Sequence, residues 1–316
     1  MGHRVPPALA RAAQVVLAVA ILALLWRVAG GGEAARSLTS SDPVWIAAAL
    51  AALTLQTVLS AIRWKVTAAQ LGIHLETRAA LREYYLAQAI NVSMPGGILG
   101  DAGRAVRARG QAGLLASGQA VLFERLAGQA GLFVVMAVTF AVTLARPGGI
   151  EWPGWLIAAV GVVVAGGVCV PVGLHAATRI RGRMGQTLRG FRDAMVRALL
   201  ARPVIARQIV LSLATTACNL AAFAFCAVAV GEALGPVAVA AFVPLILLTM
   251  LVPVTISGWG LREGAAVVLF PLAGGTASGG LAASVAFGLT LIVASLPGAL
   301  TVLARRGPDP LAPRWR

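Results

Sequence analysis

The sequence predicts an all-α integral membrane protein of about six full transmembrane helices plus two re-entrant helical hairpins in an inverted repeat. Three observations carry that expectation: the apolar composition, the length of the apolar runs, and two matched Pro/Gly breaks half a chain apart. Of 316 residues, 59% are apolar and only 12% charged, more apolar surface than a soluble domain hides. At roughly 20 residues per crossing the chain has room for about eight.

Taken in order, apolar runs of bilayer length fall at 12–29, 43–62, 118–145, 153–175, 208–230 and 280–303. The first follows Arg4 and Arg11 and outlasts the apolar core of a signal peptide, so it is expected to be retained. Two stretches break the pattern. Residues 78–117 contain Asn91, Pro95, Gly97, Gly100, Asp101 and Arg104; residues 236–272 contain Pro253, Ser257, Gly258, Gly260, Arg262 and Glu263. Proline removes a backbone donor and glycine admits unusual dihedrals, and at membrane depth such backbone survives only against protein or a wet cavity. Both stretches are therefore expected to be re-entrant hairpins.

The two breaks correspond. Pro95, Gly100 and Arg104 map onto Pro253, Gly258 and Arg262 at one offset, 158, half of 316, as an internal duplication would produce. Repeat 1 is expected at 10–145 with its hairpin at 78–117, and repeat 2 at 153–305 with its hairpin at 236–272. Three full spans separate the hairpins. An odd number makes them enter from opposite faces, as in inverted-repeat transporters.

Charge sets the expected orientation. Arginine supplies 25 of the 26 basic residues and net charge is +15. With both termini cytoplasmic, in a bacterial-type inner membrane, that side collects Arg63 and Lys65, the basic segment 176–207 and the arginines of the tail. Eight arginines face one acid, Asp193, in 176–207; the segment reads either as an amphipathic piece touching anionic headgroups or as a solvated topogenic loop. No nucleic-acid-binding fold accompanies the charge. Cys169, Cys218 and Cys226 lie in apolar runs, and the three histidines are scattered, so neither a disulfide nor a metal site is expected. No cofactor motif is found either.

Charges at membrane depth are costly, which makes Asp101, Arg104, Glu124, Arg125, Arg262 and Glu263 the candidate substrate-binding residues. A guanidinium fork beside free backbone N–H groups suits a lipid phosphate. The bland alternative has Arg104 pairing Asp101 or Glu124, and Arg262 pairing Glu263, only to neutralise charge. Asn91, Pro95, Gly97, Gly100, Pro253, Ser257, Gly258 and Gly260 read as structural positions at the helix breaks.

Arg63-Trp64, Asn91-x-x-Met-Pro95-Gly-Gly-x-x-Gly100-Asp101-x-x-Arg104, Glu124-Arg125 and Pro253-x-x-x-x-Gly258-x-Gly260-x-Arg262-Glu263 together resemble the lysylphosphatidylglycerol synthase transmembrane family, a flippase-like domain, over roughly residues 10–305. The resemblance implies movement of anionic phospholipid or polyprenyl-linked glycolipid between leaflets. It also implies a stand-alone member, since no aminoacyl-transferase domain follows residue 316. The alternative is a membrane-embedded glycolipid or aminoacyl-lipid transferase, or a subunit of one, with Asp101 or Glu124 as acid or base. A scaffold presenting 176–207 is a third reading. The expected partners are membrane lipids and no nucleic acid, with room for a homo-oligomer.

Overall fold

A computed structural model describes residues 7–94, 97–146, 150–252, 255 and 257–303. Pro95 and Pro253, two of the positions assigned to helix breaks, lie outside the described residues. Among those described there are eleven α-helices and no strand. They are α1 (Pro7–Val28), α2 (Gly31–Thr39), α3 (Pro43–Ala69), α4 (Thr77–Ser93), α5 (Leu99–Ala145), α6 (Gly154–Ala177), α7 (Arg183–Met195), α8 (Ile205–Ala229), α9 (Pro236–Leu248), α10 (Leu261–Leu272) and α11 (Ala277–Leu303).

Five helices are long and apolar enough to cross a membrane: α3, α5, α6, α8 and α11. A sixth crossing follows if Gln14–Val28 and Gly31–Thr39, which meet at 96°, form one bent span. The bend comes from Gly30, whose φ of 73° is left-handed and open to glycine at little cost. At 47 residues α5 would run about 70 Å if straight, twice the bilayer core. It does not, because Gly113 (φ 80°, ψ 169°) breaks it into arms 99–112 and 114–145.

The second crossing is longer than the apolar run suggested. α3 continues past residue 62 to Ala69, so Arg63 and Lys65 are helical rather than loop charges. Arg63 is buried, a correction to its expected place in a loop after the second span. The reason is chemical: its guanidinium finds a carboxylate inside the protein, which removes the need to reach water. Lys65 does stay near the surface, donating to the Thr77 hydroxyl at 2.8 Å.

Internal packing divides the described residues into two units, each discontinuous in sequence. The first lies within Met1–Thr57, Arg82–Gly103 and Ala217–Arg305, and the second within Val58–Leu81, Arg104–Thr216 and Arg306–Arg316. In the first, α10 and α11 form a helical hairpin around the turn 273–276. Their core is aromatic: Phe223 packs on Phe270 and Phe287, with ring centroids 6.2 and 5.3 Å apart. In the second, Gly131 of α5 abuts the backbone of Ser212 in α8, and Phe140 meets Trp152 edge-on at 4.9 Å. Small residues at such crossings let helix backbones approach, the usual packing device in lipid.

Gly280 offers a test of this packing. A Cβ at 280 would sit 2.6 Å from the Ala266 carbonyl oxygen across the α10–α11 crossing. Gly280→Leu should therefore cost about 1–3 kcal/mol through overpacking, read as a lower thermal midpoint in detergent. A melting curve identical to wild type would refute the close crossing.

Candidate functional site

Polar residues recur along one face of α3, at Ser60, Arg63 and Thr67, and along one face of α8, at Gln208, Ser212, Thr215 and Thr216. All are buried. The spacing of three to four residues stacks each set on one side of its helix. Within the second unit these faces meet: Gln208 Nε2 donates to Thr67 Oγ1 at 2.9 Å, and Arg63 Nη1 donates to Thr215 Oγ1 at 2.7 Å.

At the centre of that unit lies an ion cluster. Glu124, from the second arm of α5, accepts on Oε1 from Arg63 Nη2 at 2.8 Å and Nε at 3.3 Å. Its Oε2 accepts from Arg104 Nη2 at 3.1 Å. Glu124 and Arg104 are 0% exposed and Arg63 is 4%. The Arg104 guanidinium also stacks over the indole of Trp64, 4.5 Å from the ring centre. An aromatic face is a favourable wall for a desolvated cation. Gly128, one turn beyond Glu124, leaves the room, since a Cβ there would lie 2.7 Å from Arg63 Nη2. Arg125 is half-buried beside the cluster.

The first unit holds two further constellations. At the first helix break, Asn91 Oδ1 accepts the Gly100 N–H at 2.7 Å while its Nδ2 donates to Asp101 Oδ2 at 2.9 Å. One amide thus ties the end of α4 to the start of α5. Gly97 in the same break has φ 60°, and Gly100 packs directly on the Ala87 carbonyl.

At the second break, Ser257, Gly258 and Gly260 all have positive φ, at 50°, 79° and 90°. Ser257 is the one non-glycine residue in that region among those described, and the turn therefore needs external support. Glu263 supplies it, accepting the Gly260 N–H on Oε2 at 2.6 Å. Its Oε1 accepts from Arg262 Nη2 at 2.5 Å and from Ser284 at 3.1 Å. Arg262 Nε donates to the same serine at 3.0 Å, and Trp259 and Phe287 wall the guanidinium at 5.1 and 5.5 Å. This network holds the turn closed.

The sequence-predicted residues thus separate into three groups. Arg104 and Glu124 share the cluster of the second unit. Arg262 and Glu263 pair in the first unit, and Asp101 joins Asn91 there. Sequence reasoning missed Arg63 as a buried ion-pair partner, the two indoles, Ser284, and buried Glu83 of α4. The visible signal for Arg63 was the polar stripe Ser60, Arg63, Thr67 inside an apolar helix. Among the described residues, no three His, Cys, Asp or Glu side chains gather as metal ligands would.

Residues 11–298 match the family described as the lysylphosphatidylglycerol synthase TM region. No curated protein matches the chain.

Removing one partner of a buried ion pair strands the other, at about 3–5 kcal/mol. Glu124→Gln should lower stability in detergent accordingly, and Arg63→Met added to it should recover part of the loss. A double-mutant cycle in which the two changes are simply additive would contradict the pairing.

Proposed function

The chain belongs to the lysylphosphatidylglycerol synthase TM region family, a multi-pass integral membrane family, and from that premise we propose that it moves an anionic lipid headgroup between leaflets. The observation that carries this reading is the buried cluster of Arg63, Arg104 and Glu124. Charge at membrane depth is expensive and marks substrate pathways by default, and guanidinium groups are the side chains best shaped for phosphate. Phospholipid and polyprenyl-linked glycolipid share that phosphate.

The order of elements supports two inverted repeats. α1, the amphipathic α2, α3, α4 and the two arms of α5 are followed in the same order by α6, the amphipathic α7, α8, α9, α10 and α11. Of these, α4 has 17 residues, α9 13 and α10 12, so they run about 18–26 Å, short of the roughly 30 Å bilayer core. Helices of that length suit hairpins that turn back at mid-depth. The second arm of α5, α6 and α8 then give three crossings between the hairpins, the odd number that inverts them. With both termini on the cytoplasmic side of a bacterial-type inner membrane, the arginines of 176–207 obey the positive-inside rule.

As a mechanism, the headgroup passes along polar side chains while the acyl tails remain in lipid, and the repeats rock to open each face in turn. Arg104 takes the phosphate with Glu124 and Arg125 flanking it, and Asp101 stands at the adjacent break. Arg262 and Glu263 serve in the same way once the Glu263–Gly260 lock is released. The transferase alternative draws less from this geometry, because the Glu124 oxygens accept from guanidinium groups and an Asp101 oxygen accepts from Asn91.

Two measurements test the proposal. In proteoliposomes carrying fluorescent phosphatidylglycerol, Arg104→Gln with Arg262→Gln should slow flipping by more than about tenfold, the loss of one strong charge-assisted contact. Flipping at the wild-type rate would reject the mechanism. For orientation, a single cysteine introduced by Gly190→Cys should react with impermeant maleimide from the cytoplasmic side, and one introduced by Glu151→Cys from the opposite side. Labelling of both from one side would overturn the topology.

A further inference from the structure

Between α6 and α8 the chain carries seven arginines, with Arg207 following in the first turn of α8, and a single carboxylate, Asp193. That carboxylate is taken by Arg192 at 2.8 Å. Arg189 and Arg192 lean inward, donating to the Thr178 carbonyl at 2.7 Å and its hydroxyl at 3.5 Å, and so fasten α7 to the end of α6. Arg179, Arg181, Arg183, Arg197 and Arg202 are exposed, with no acid of the segment left to neutralise them. Interleaved with them are exposed apolar side chains: Ile180 (51%), Met184 (68%), Val196 (42%) and Leu200 (56%). A membrane surface suits that mixture better than bulk water does. Guanidinium groups at phosphate level with aliphatic side chains at the acyl boundary are what an in-plane interfacial helix needs.

The inner face of the segment is firmly built. Phe191 meets Phe123 edge-on at 5.1 Å, and Ala194 and Ala198 complete a buried cluster around Phe123. Ala198 lies in a single π-helical turn, Val196–Leu200, an irregularity often found at functional sites. Its carbonyl accepts from Gln208 Nε2 at 3.2 Å. The same Gln208 nitrogen donates to Thr67, whose hydroxyl donates to the Arg63 carbonyl at 2.9 Å. Phe123 directly precedes Glu124. The surface segment is thus linked to both members of the buried Arg63–Glu124 pair, through Phe123 on one side and Gln208 on the other.

We propose that residues 178–204 form a docking surface for anionic phospholipid headgroups of the adjoining leaflet, distinct from any transported lipid, and that docking is transmitted to the Arg63–Glu124–Arg104 cluster through Phe123 and Gln208. The surface reads the charge of the membrane, and the two links pass its occupancy to the polar interior. This reading does not depend on whether lipid is moved.

The experiment is hydrogen exchange on the full chain in nanodiscs of phosphatidylcholine with and without phosphatidylglycerol. Phosphatidylglycerol should slow exchange across 183–200 by more than about fivefold at low salt, with reversal at high salt, and should alter exchange at 120–128. Arg183→Gln/Arg197→Gln/Arg202→Gln should abolish both responses. Phe191→Leu/Gln208→Met should keep the response at 183–200 and lose that at 120–128. Equal exchange in the two discs, or a response surviving the triple arginine change, overturns the docking surface. No response at 120–128 in the wild type, or one that persists in Phe191→Leu/Gln208→Met, overturns the transmission.

Discussion

Buried charge that cannot reach water must be neutralised where it stands, and that requirement organises the polar interior of both units. A lone guanidinium or carboxylate in a low-dielectric interior costs several kcal/mol even after relaxation. The chain answers with carboxylates that serve more than one donor. Glu124 takes a guanidinium on each oxygen, one from α3 and one from the first arm of α5. Glu263 divides its oxygens between Arg262 with Ser284 and the backbone N–H of Gly260. Each answer adds an indole, Trp64 over Arg104 and Trp259 over Arg262, where an aromatic face substitutes for part of the lost hydration.

These arrangements also determine where irregular backbone is tolerated. A broken helix exposes N–H and C=O groups that hydrocarbon cannot satisfy. Asn91 closes the first break by bonding the Gly100 N–H, and Glu263 closes the second by bonding that of Gly260. The polar residues beside the breaks are consequently structural. The two buried networks differ in what they hold: that of Arg262 supports a turn of three left-handed residues, whereas that of Arg104 joins α3, α5 and α8.

Several elements were legible in residue order alone. Spans at 43–62, 118–145, 153–175, 208–230 and 280–303 fall within or across α3, α5, α6, α8 and α11, because twenty consecutive apolar residues have few other uses. The helix breaks near Pro95 and Pro253 were legible because Pro and Gly act on the backbone locally. Arg63 was not. Two residues from Lys65, at the end of an apolar run, it looked like a loop charge; the carboxylate that buries it lies 61 residues away. The bend at Gly30 was equally hidden, since the run Gly30-Gly31-Gly32 does not announce the angle it will take.

By itself, the sequence determined that this protein lives in a membrane, where its long apolar helices lie, and that their order is interrupted near Pro95 and Pro253. Those properties follow from side-chain transfer free energies and local dihedral limits, which act over a few residues. Only the tertiary structure decided which arginine meets which carboxylate, that α3 carries its charge inward, and that the basic segment after α6 is a helix anchored on Phe123. Such pairings depend on helices brought together across long stretches of chain, where a charge's cost is settled by neighbours that sequence distance does not reveal.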